Sequence, residues 1–204
     1  FSKQGLFLAA WQDVYGDMIE WVAGKDGGKV TKVDAANMTV HSGYGAVKAD
    51  VINAIPAQKA AALAFNIGLT NESGFCPVDM LTFESKVKKN VYVVGDASIA
   101  GAMPKSGHSA SSQGKICAAA IVNSLAGKQT QPAQHVNTCY SLVAGNYGIS
   151  VAGVYSLQDG KIAEIKGSGG VSPKDATADF RAMEATYALG WYASITKDIW
   201  GTGA

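Results

Sequence analysis

The 204-residue sequence predicts an α/β chain that changes, from about residue 128, to an α+β texture. Three observations predict it. Asn90-Val-Tyr-Val-Val-Gly-Asp-Ala97 is an apolar, mostly β-branched run leading into Gly-Asp, and a Gly- and Ser-containing stretch at 98–107 separates it from a helix-patterned segment at 109–125. From His135 onward, β-branched residues and glycine turns take over, with Asp159-Gly160 as a hairpin turn before Lys161-Ile-Ala-Glu-Ile165. Asp175 to Ile195 is again largely helical, with Gly190 weakening its last turns.

In chain order, Leu6, Phe7, Ala10, Trp11, Val14, Met18 and Trp21 fall at helical spacing, interrupted by Gly16 and ending before Gly24. Lys29–Val33 and Met38–His41, joined by Asp34-Ala-Ala-Asn37, predict a hairpin that Gly43 and Gly45 break. Lys48–Ile55 reads as a buried strand ended by Pro56. Lys59–Phe65 is alanine-rich and predicts a helix stopping at Gly68, and 69–90 reads as loop. Val91–Val94 is a strand. Ser109–Leu125 is a helix, with Gln113, Ile116, Cys117, Ala120 and Ile121 on one side and Gly127 as its stop. Lys128–Gln134 is a polar linker, and the stripe Phe180, Met183, Tyr187, Trp191 predicts a core face on the last helix.

With 48% apolar residues and a mean hydropathy of +0.07, the chain carries enough apolar surface to fold. Seventeen Lys and Arg against sixteen Asp and Glu give a net charge of +1, and Arg181 is the only arginine. That balance argues against nucleic acid as a partner, because phosphate binding needs a concentrated basic surface. The longest apolar run, Ile116–Val122, is far shorter than the about 20 residues of a membrane span. The chain opens Phe1-Ser2-Lys3-Gln4 without an initiator Met or a leader pattern, so a processed protein or an internal fragment is expected. Cys76, Cys117 and Cys139 form no CxxC pair, and their odd number leaves at least one thiol unpaired within the chain. His41, His108 and His135 are too dispersed for a metal site, and none is expected.

The chemistry concentrates between Val91 and Gly107. In open α/β sheets ligands bind beyond the carboxyl ends of strands. Gly95 allows close backbone approach there, Asp96 can accept hydrogen bonds from sugar hydroxyls, and the following helix points its positive end into the same crevice. Lys105 can stabilise negative charge, with a solvated surface lysine as the alternative. The plainer reading of the whole segment is a strand–turn–helix in which Asp96 is only a cap.

Val91-Tyr-Val-Val-Gly-Asp-Ala97, with Met103-Pro-Lys-Ser-Gly107 and Ser109-Ala-Ser-Ser-Gln113, resembles the second flavin motif of flavoproteins with two dinucleotide-binding domains. Gly74-Phe-Cys-Pro-Val-Asp79 and Asn137-Thr-Cys-Tyr-Ser-Leu142 narrow the resemblance to the flavoprotein subunit of flavocytochrome c sulfide dehydrogenase, over nearly the whole chain and corresponding to that subunit's C-terminal half. The resemblance implies C-terminal parts of two Rossmann-like dinucleotide-binding domains followed by an α+β C-terminal domain. It divides the chain at 1–55, the remainder of the second dinucleotide-binding domain; 56–127, the C-terminal part of the FAD-binding domain; and 128–204, the C-terminal domain. It implies FAD as cofactor, contacted by Gly95, Asp96, Ala97, Lys105, Ser106 and Gly107. The G-x-G-x-x-G fingerprint for the ADP moiety does not occur, because Gly24, Gly27 and Gly28 have the wrong spacing, so FAD binding needs an N-terminal half.

By the same resemblance, Cys139 is one sulfur of a redox disulfide beside the flavin, its partner lying in that N-terminal half. Hydrosulfide attacks the disulfide, a persulfide forms, and the released thiolate passes two electrons to the flavin. The alternative for Cys139 is a small buried hydrophobe. Cys117 reads as core, and Cys76, which recurs in the family, as structural. His108, where the family favours an aromatic residue, is either a proton shuttle beside the sulfur or structural. The aromatics of the last helix have a second reading near the flavin or a cytochrome interface. A cytochrome c subunit is the implied partner and carries any haem, since the chain has no C-x-x-C-H. The implied setting is periplasmic. The rivals are a relative that reduces quinone or uses NADH, against which the short, mixed end Thr196–Ala204 argues weakly, and a non-catalytic cytochrome-docking module.

Overall fold

The computed structural model describes residues 2–201 of a mixed α/β chain. It divides into two compact units, Trp11–Gln58 and the combination of Phe1–Ala10 with Lys59–Ala204, the first boundary falling inside helix α1 (Gln4–Tyr15). The helix ends at Tyr15 because Gly16 turns to φ +53°, so the predicted helix is cut short rather than interrupted. Met18, expected on its apolar face, is exposed.

The smaller unit is built on a three-stranded antiparallel sheet, β1 (Val30–Asp34), β2 (Thr39–Ser42) and β3 (Gly45–Lys48). The predicted hairpin is present, with Asp34 accepting from the backbone and side-chain amides of Asn37 across the turn. Gly43 and Gly45 do not break it: they turn the chain into β3, which pairs His41 with Ala46. Lys48–Ile55 is not a buried strand. Lys48 closes β3, the residues after it carry no strand, and Val51 and Ile55 are more than four-fifths exposed. An apolar run becomes a strand only with a ladder to pair with, and among the described residues no strand pairs with 49–55.

In the larger unit, α2 (Ala62–Asn66) ends near Gly68 as expected. The loop that follows contributes β4 (Cys76–Pro77), which pairs in parallel with β5 (Ser98–Ile99). Val91–Val94 forms no ladder strand. Its neighbours are met through single bonds, Val93 N–H to Phe83 O and the isolated bridge of Tyr92 with Glu84, and Gly95–Ala97 is one turn of 3₁₀ helix. Helix α3 (Gly107–Leu125) follows after the loop 98–106, capped by Ser106, and stops before Gly127.

The remainder is an antiparallel sheet, β6 (His135–Ala144), β7 (Tyr147–Gln158), β8 (Lys161–Glu164) and β9 (Gly170–Val171), followed by α4 (Ala178–Trp200). Asp159 and Gly160, at φ +49° and +75°, form the predicted two-residue turn between β7 and β8. β8 and β9 both lie across β7 from β6, so β6 is an edge. Helix α3 covers that edge. His108 Nδ1 accepts the Thr138 N–H at 2.8 Å and Ser112 Oγ the Val136 N–H at 3.1 Å. One helical turn, about 5.4 Å, and two strand residues, about 6.6 Å, are close enough to match these pairs. The covered edge is closed to further strands.

The core gathers Val78, Phe83, Met103, Cys117, Tyr155 and Ile162, joining the loops before and after β5, α3 and the β7–β8 hairpin. Helix α4 turns Arg181, Glu184, Ala185 and Ala188 inward, not the predicted stripe: Met183 and Tyr187 are 40% and 52% exposed. The reason is polar. Ser150 and Ser172 both donate to Glu184 Oε1 at 2.6 Å, and Arg181 donates to Pro173 O at 2.7 Å, so the charged face finds its partners inside. Among the described residues no helix is long and apolar enough to cross a membrane.

Candidate functional site

The Gly-Asp-Ala turn and the loop at 98–107 enclose a cleft of about 330 Å³. Gly95 sits at φ +71°, where a Cβ would come within 3.1 Å of the Ala110 Cβ, and its N–H donates to Gln113 Oε1 at 2.7 Å. The turn is therefore fastened directly onto α3. Ser98 Oγ donates to Gly95 O at 2.8 Å. Lys105 Nζ donates to the carbonyls of Asp96 and Ser98, and its charge lies 3.9 Å from the centre of the Phe75 ring. Lys105 thus braces the turn from below while lining the cleft. The Asp96 carboxylate, exposed at the rim, has no hydrogen-bond partner among the described residues.

Of the residues singled out in the sequence, Gly95, Asp96 and Lys105 line this cleft. Ala97, Ser106, Gly107 and Cys139 lie outside its lining. Ser106 is the N-cap of α3, accepting the Ser109 N–H at 3.1 Å, and Gly107 is the first helical residue. Cys139 joins the group through Asn137. The Asn137 Oδ1 accepts from Ser106 Oγ at 2.5 Å, from Ser109 Oγ at 3.2 Å and from Cys139 Sγ at 3.5 Å. Ser109 itself lines the cleft, so the sulfur stands two hydrogen bonds from it.

On its backbone side, Cys139 meets Lys3. The Lys3 ammonium donates to Cys139 O at 3.1 Å and to Ser141 Oγ at 2.8 Å, and it is buried. Burial pushes the ammonium below the ordinary lysine range, against the pull of Cys139 and Glu184. Nothing in the first residues of the sequence signals this lysine. Asn137 was legible as part of the Asn-Thr-Cys-Tyr-Ser-Leu run, and the polar Ser109, Ser112 and Gln113 on the buried side of α3 are the signal that this helix face meets polar partners.

The other candidates separate from the site. Cys117 is part of the core, and Cys76 packs with Ala60 and Leu69; burial pushes both thiols up. His108 faces a second crevice between α3 and α4, with Lys115, Trp191 and Asp198, and Trp191 stands edge-on to it at 5.9 Å. Burial pushes its imidazole down, as suits an acceptor for the Thr138 N–H. His135 is buried against Phe83, and its Nδ1 has no partner. Among the described residues no three His, Cys, Asp or Glu side chains are grouped to hold a metal ion.

A flavin fits what the cleft offers in part. The Asp96 carboxylate, unpaired among the described residues, suits ligand hydroxyls, and the start of α3 at Ser109 suits a ligand's negative charge, while Gly95 packs its turn against Ala110. The volume accommodates a portion of such a cofactor.

Two family models match the chain. One, flavocytochrome c sulphide dehydrogenase, flavin-binding, matches residues 131–200. The other, the central part of the sulfide dehydrogenase [flavocytochrome c] flavoprotein chain, matches residues 1–56. Together they cover more than half of the sequence. The first takes in Asn137, Cys139 and α4; the cleft-lining residues from Asn71 to Gln113 fall between the two.

Proposed function

Because the chain belongs to the family of the flavoprotein chain of flavocytochrome c sulfide dehydrogenase, we propose that it is the C-terminal portion of an FAD-dependent enzyme that oxidises hydrosulfide at Cys139 and delivers electrons to a cytochrome c. The observation that carries this reading is the chain of hydrogen bonds from Cys139 through Asn137 to Ser109 at the cleft. A half-buried thiol is thereby linked to a cleft-lining residue by two hydrogen bonds, while the other two thiols are buried in apolar surroundings.

When bound, the flavin supplies the two-electron acceptor. The chain's own residues supply the rest. Asp96 accepts from cofactor hydroxyls, the start of α3 at Ser109 faces the cofactor, Gly95 lets the turn pack on Ala110, and Lys105 holds the turn that presents Asp96. Cys139 serves as one sulfur of a redox disulfide whose second sulfur comes from outside this sequence. The fold we assign is the C-terminal parts of two Rossmann-like domains at 1–55 and 56–127 and an α+β domain at 128–204. A periplasmic setting and haem carried by the cytochrome subunit complete the proposal.

The test uses the complete, FAD-loaded subunit. Cys139→Ser is expected to abolish flavin bleaching by sulfide, and Asp96→Ala to release FAD on gel filtration. Undiminished bleaching in Cys139→Ser removes the cysteine from the mechanism and favours the docking module; full FAD retention in Asp96→Ala removes the cleft assignment.

A further inference from the structure

We infer that Asn137 is a positioning residue that tethers the Cys139 sulfur, through its amide oxygen, to the first turn of α3 at the cleft; the inference rests on the sulfur role proposed for Cys139. Residues 137 and 139 point to the same face of β6, because side chains alternate along a strand. Asn137 is 2% exposed, so the groups packed around its amide oxygen set its orientation. Ser106 Oγ already receives the Ser109 N–H as the helix cap, and it sends its own proton to Asn137 Oδ1. Ser109 Oγ, 1% exposed, does the same. Two hydroxyls thus orient the amide, and they turn its oxygen toward the sulfur.

The third bond differs from the other two. At 3.5 Å the Cys139 S–H is the longest and weakest donor on an oxygen that offers two lone pairs. It exists only while the sulfur keeps its proton. A thiolate, or a sulfur bonded to another sulfur, faces the same oxygen with nothing to donate. The serines hold the hub in place when this happens, so the sulfur is released without loosening the helix start. Asn137 therefore holds the reduced, protonated Cys139 sulfur and lets go of the thiolate and of the disulfide-bonded sulfur.

Thiol alkylation reads this without flavin or sulfide, because the thiolate is the species that reacts. The complete subunit is reduced, treated with iodoacetamide at pH 8, and the Cys139 peptide is followed by mass spectrometry. Asn137→Ala removes the acceptor and is expected to raise the Cys139 rate about threefold, the scale of losing one weak hydrogen bond. Asn137→Asp keeps both serine donors satisfied, accepts S–H more strongly and repels the thiolate, and is expected to slow the rate about tenfold. A merely structural role predicts faster labelling in both, together with labelling of the buried Cys76 and Cys117. Asn137→Asp is close to isosteric and carries the test alone where Asn137→Ala does not fold. An unchanged or faster Cys139 rate in Asn137→Asp overturns the tether, whatever sulfide does. If the wild-type subunit shows no bleaching while the two variants still move alkylation in opposite directions, the tether stands and the proposed function falls.

Discussion

Replacing Gly95 with alanine tests how the cleft is built. The residue sits at φ +71°, a region that costs an L-residue with a Cβ roughly 1–2 kcal/mol. The new Cβ would lie 3.1 Å from the Ala110 Cβ, tighter than ordinary contact, and Ala110 belongs to the first turns of α3, whose cap and Asn137 bonds resist displacement. Against this, alanine restricts the unfolded chain and returns about 0.4–1 kcal/mol. The net expectation is a loss of about 1–2 kcal/mol, or a melting point lower by roughly 2–8 °C for a chain of this size. Gly114 is the internal control. It lies inside α3 with nothing within 4 Å of its would-be Cβ, so Gly114→Ala should gain about 0.5–1 kcal/mol. Urea unfolding of both variants beside the parent reads the opposite signs. A Gly95→Ala chain as stable as the parent would refute the account of the turn as strained against α3.

Ser106→Ala removes the cap of α3 and one donor to Asn137, and should lower the urea midpoint by the equivalent of about 1 kcal/mol with an unchanged slope. An unmoved midpoint would show that the cap contributes nothing. His135 is buried with an unpartnered Nδ1, and burial pushes its imidazole below the ordinary value. The unfolded chain then takes up the proton first, so stability is full above about pH 6.5 and falls as pH drops toward the folded-state value. His108, pushed the same way and facing Lys115 and Asp198, adds to that loss. Urea midpoints from pH 7.5 to 5 should therefore fall less steeply in His135→Phe, and parallel curves would count against the burial argument.

The short-range readings held where local chemistry decides. The Asp34–Asn37 turn, the Asp159-Gly160 hairpin and the limits of α3 depend on turn residues, a cap and helical spacing within a few positions. Those that failed needed a distant partner. Val91–Val94 and Lys48–Ile55 have strand composition, but a strand is a ladder, and among the described residues only Lys48, the end of β3, belongs to one. Helix α4 shows the same limit from the other side. Its aromatics spell a core stripe, yet Glu184 and Arg181 turn inward because Ser150, Ser172 and Pro173 O are there to receive them.

At the site, local residue order already carries a Gly-Asp pair after an apolar run, a helix stopping at Gly127, and a cysteine in a polar run whose likeness to a known motif is local and contiguous. Which of them meet depends on how distant segments pack. Lys3 and Cys139 are 136 positions apart, Ser109 and Asn137 are 28, and no periodicity links them. They come together because β6 is an edge strand with unpaired N–H groups, and a helix carrying His108 and Ser112 one turn apart satisfies them. An unbonded N–H buried at that edge would cost about 1–3 kcal/mol, which favours the register that pairs both groups.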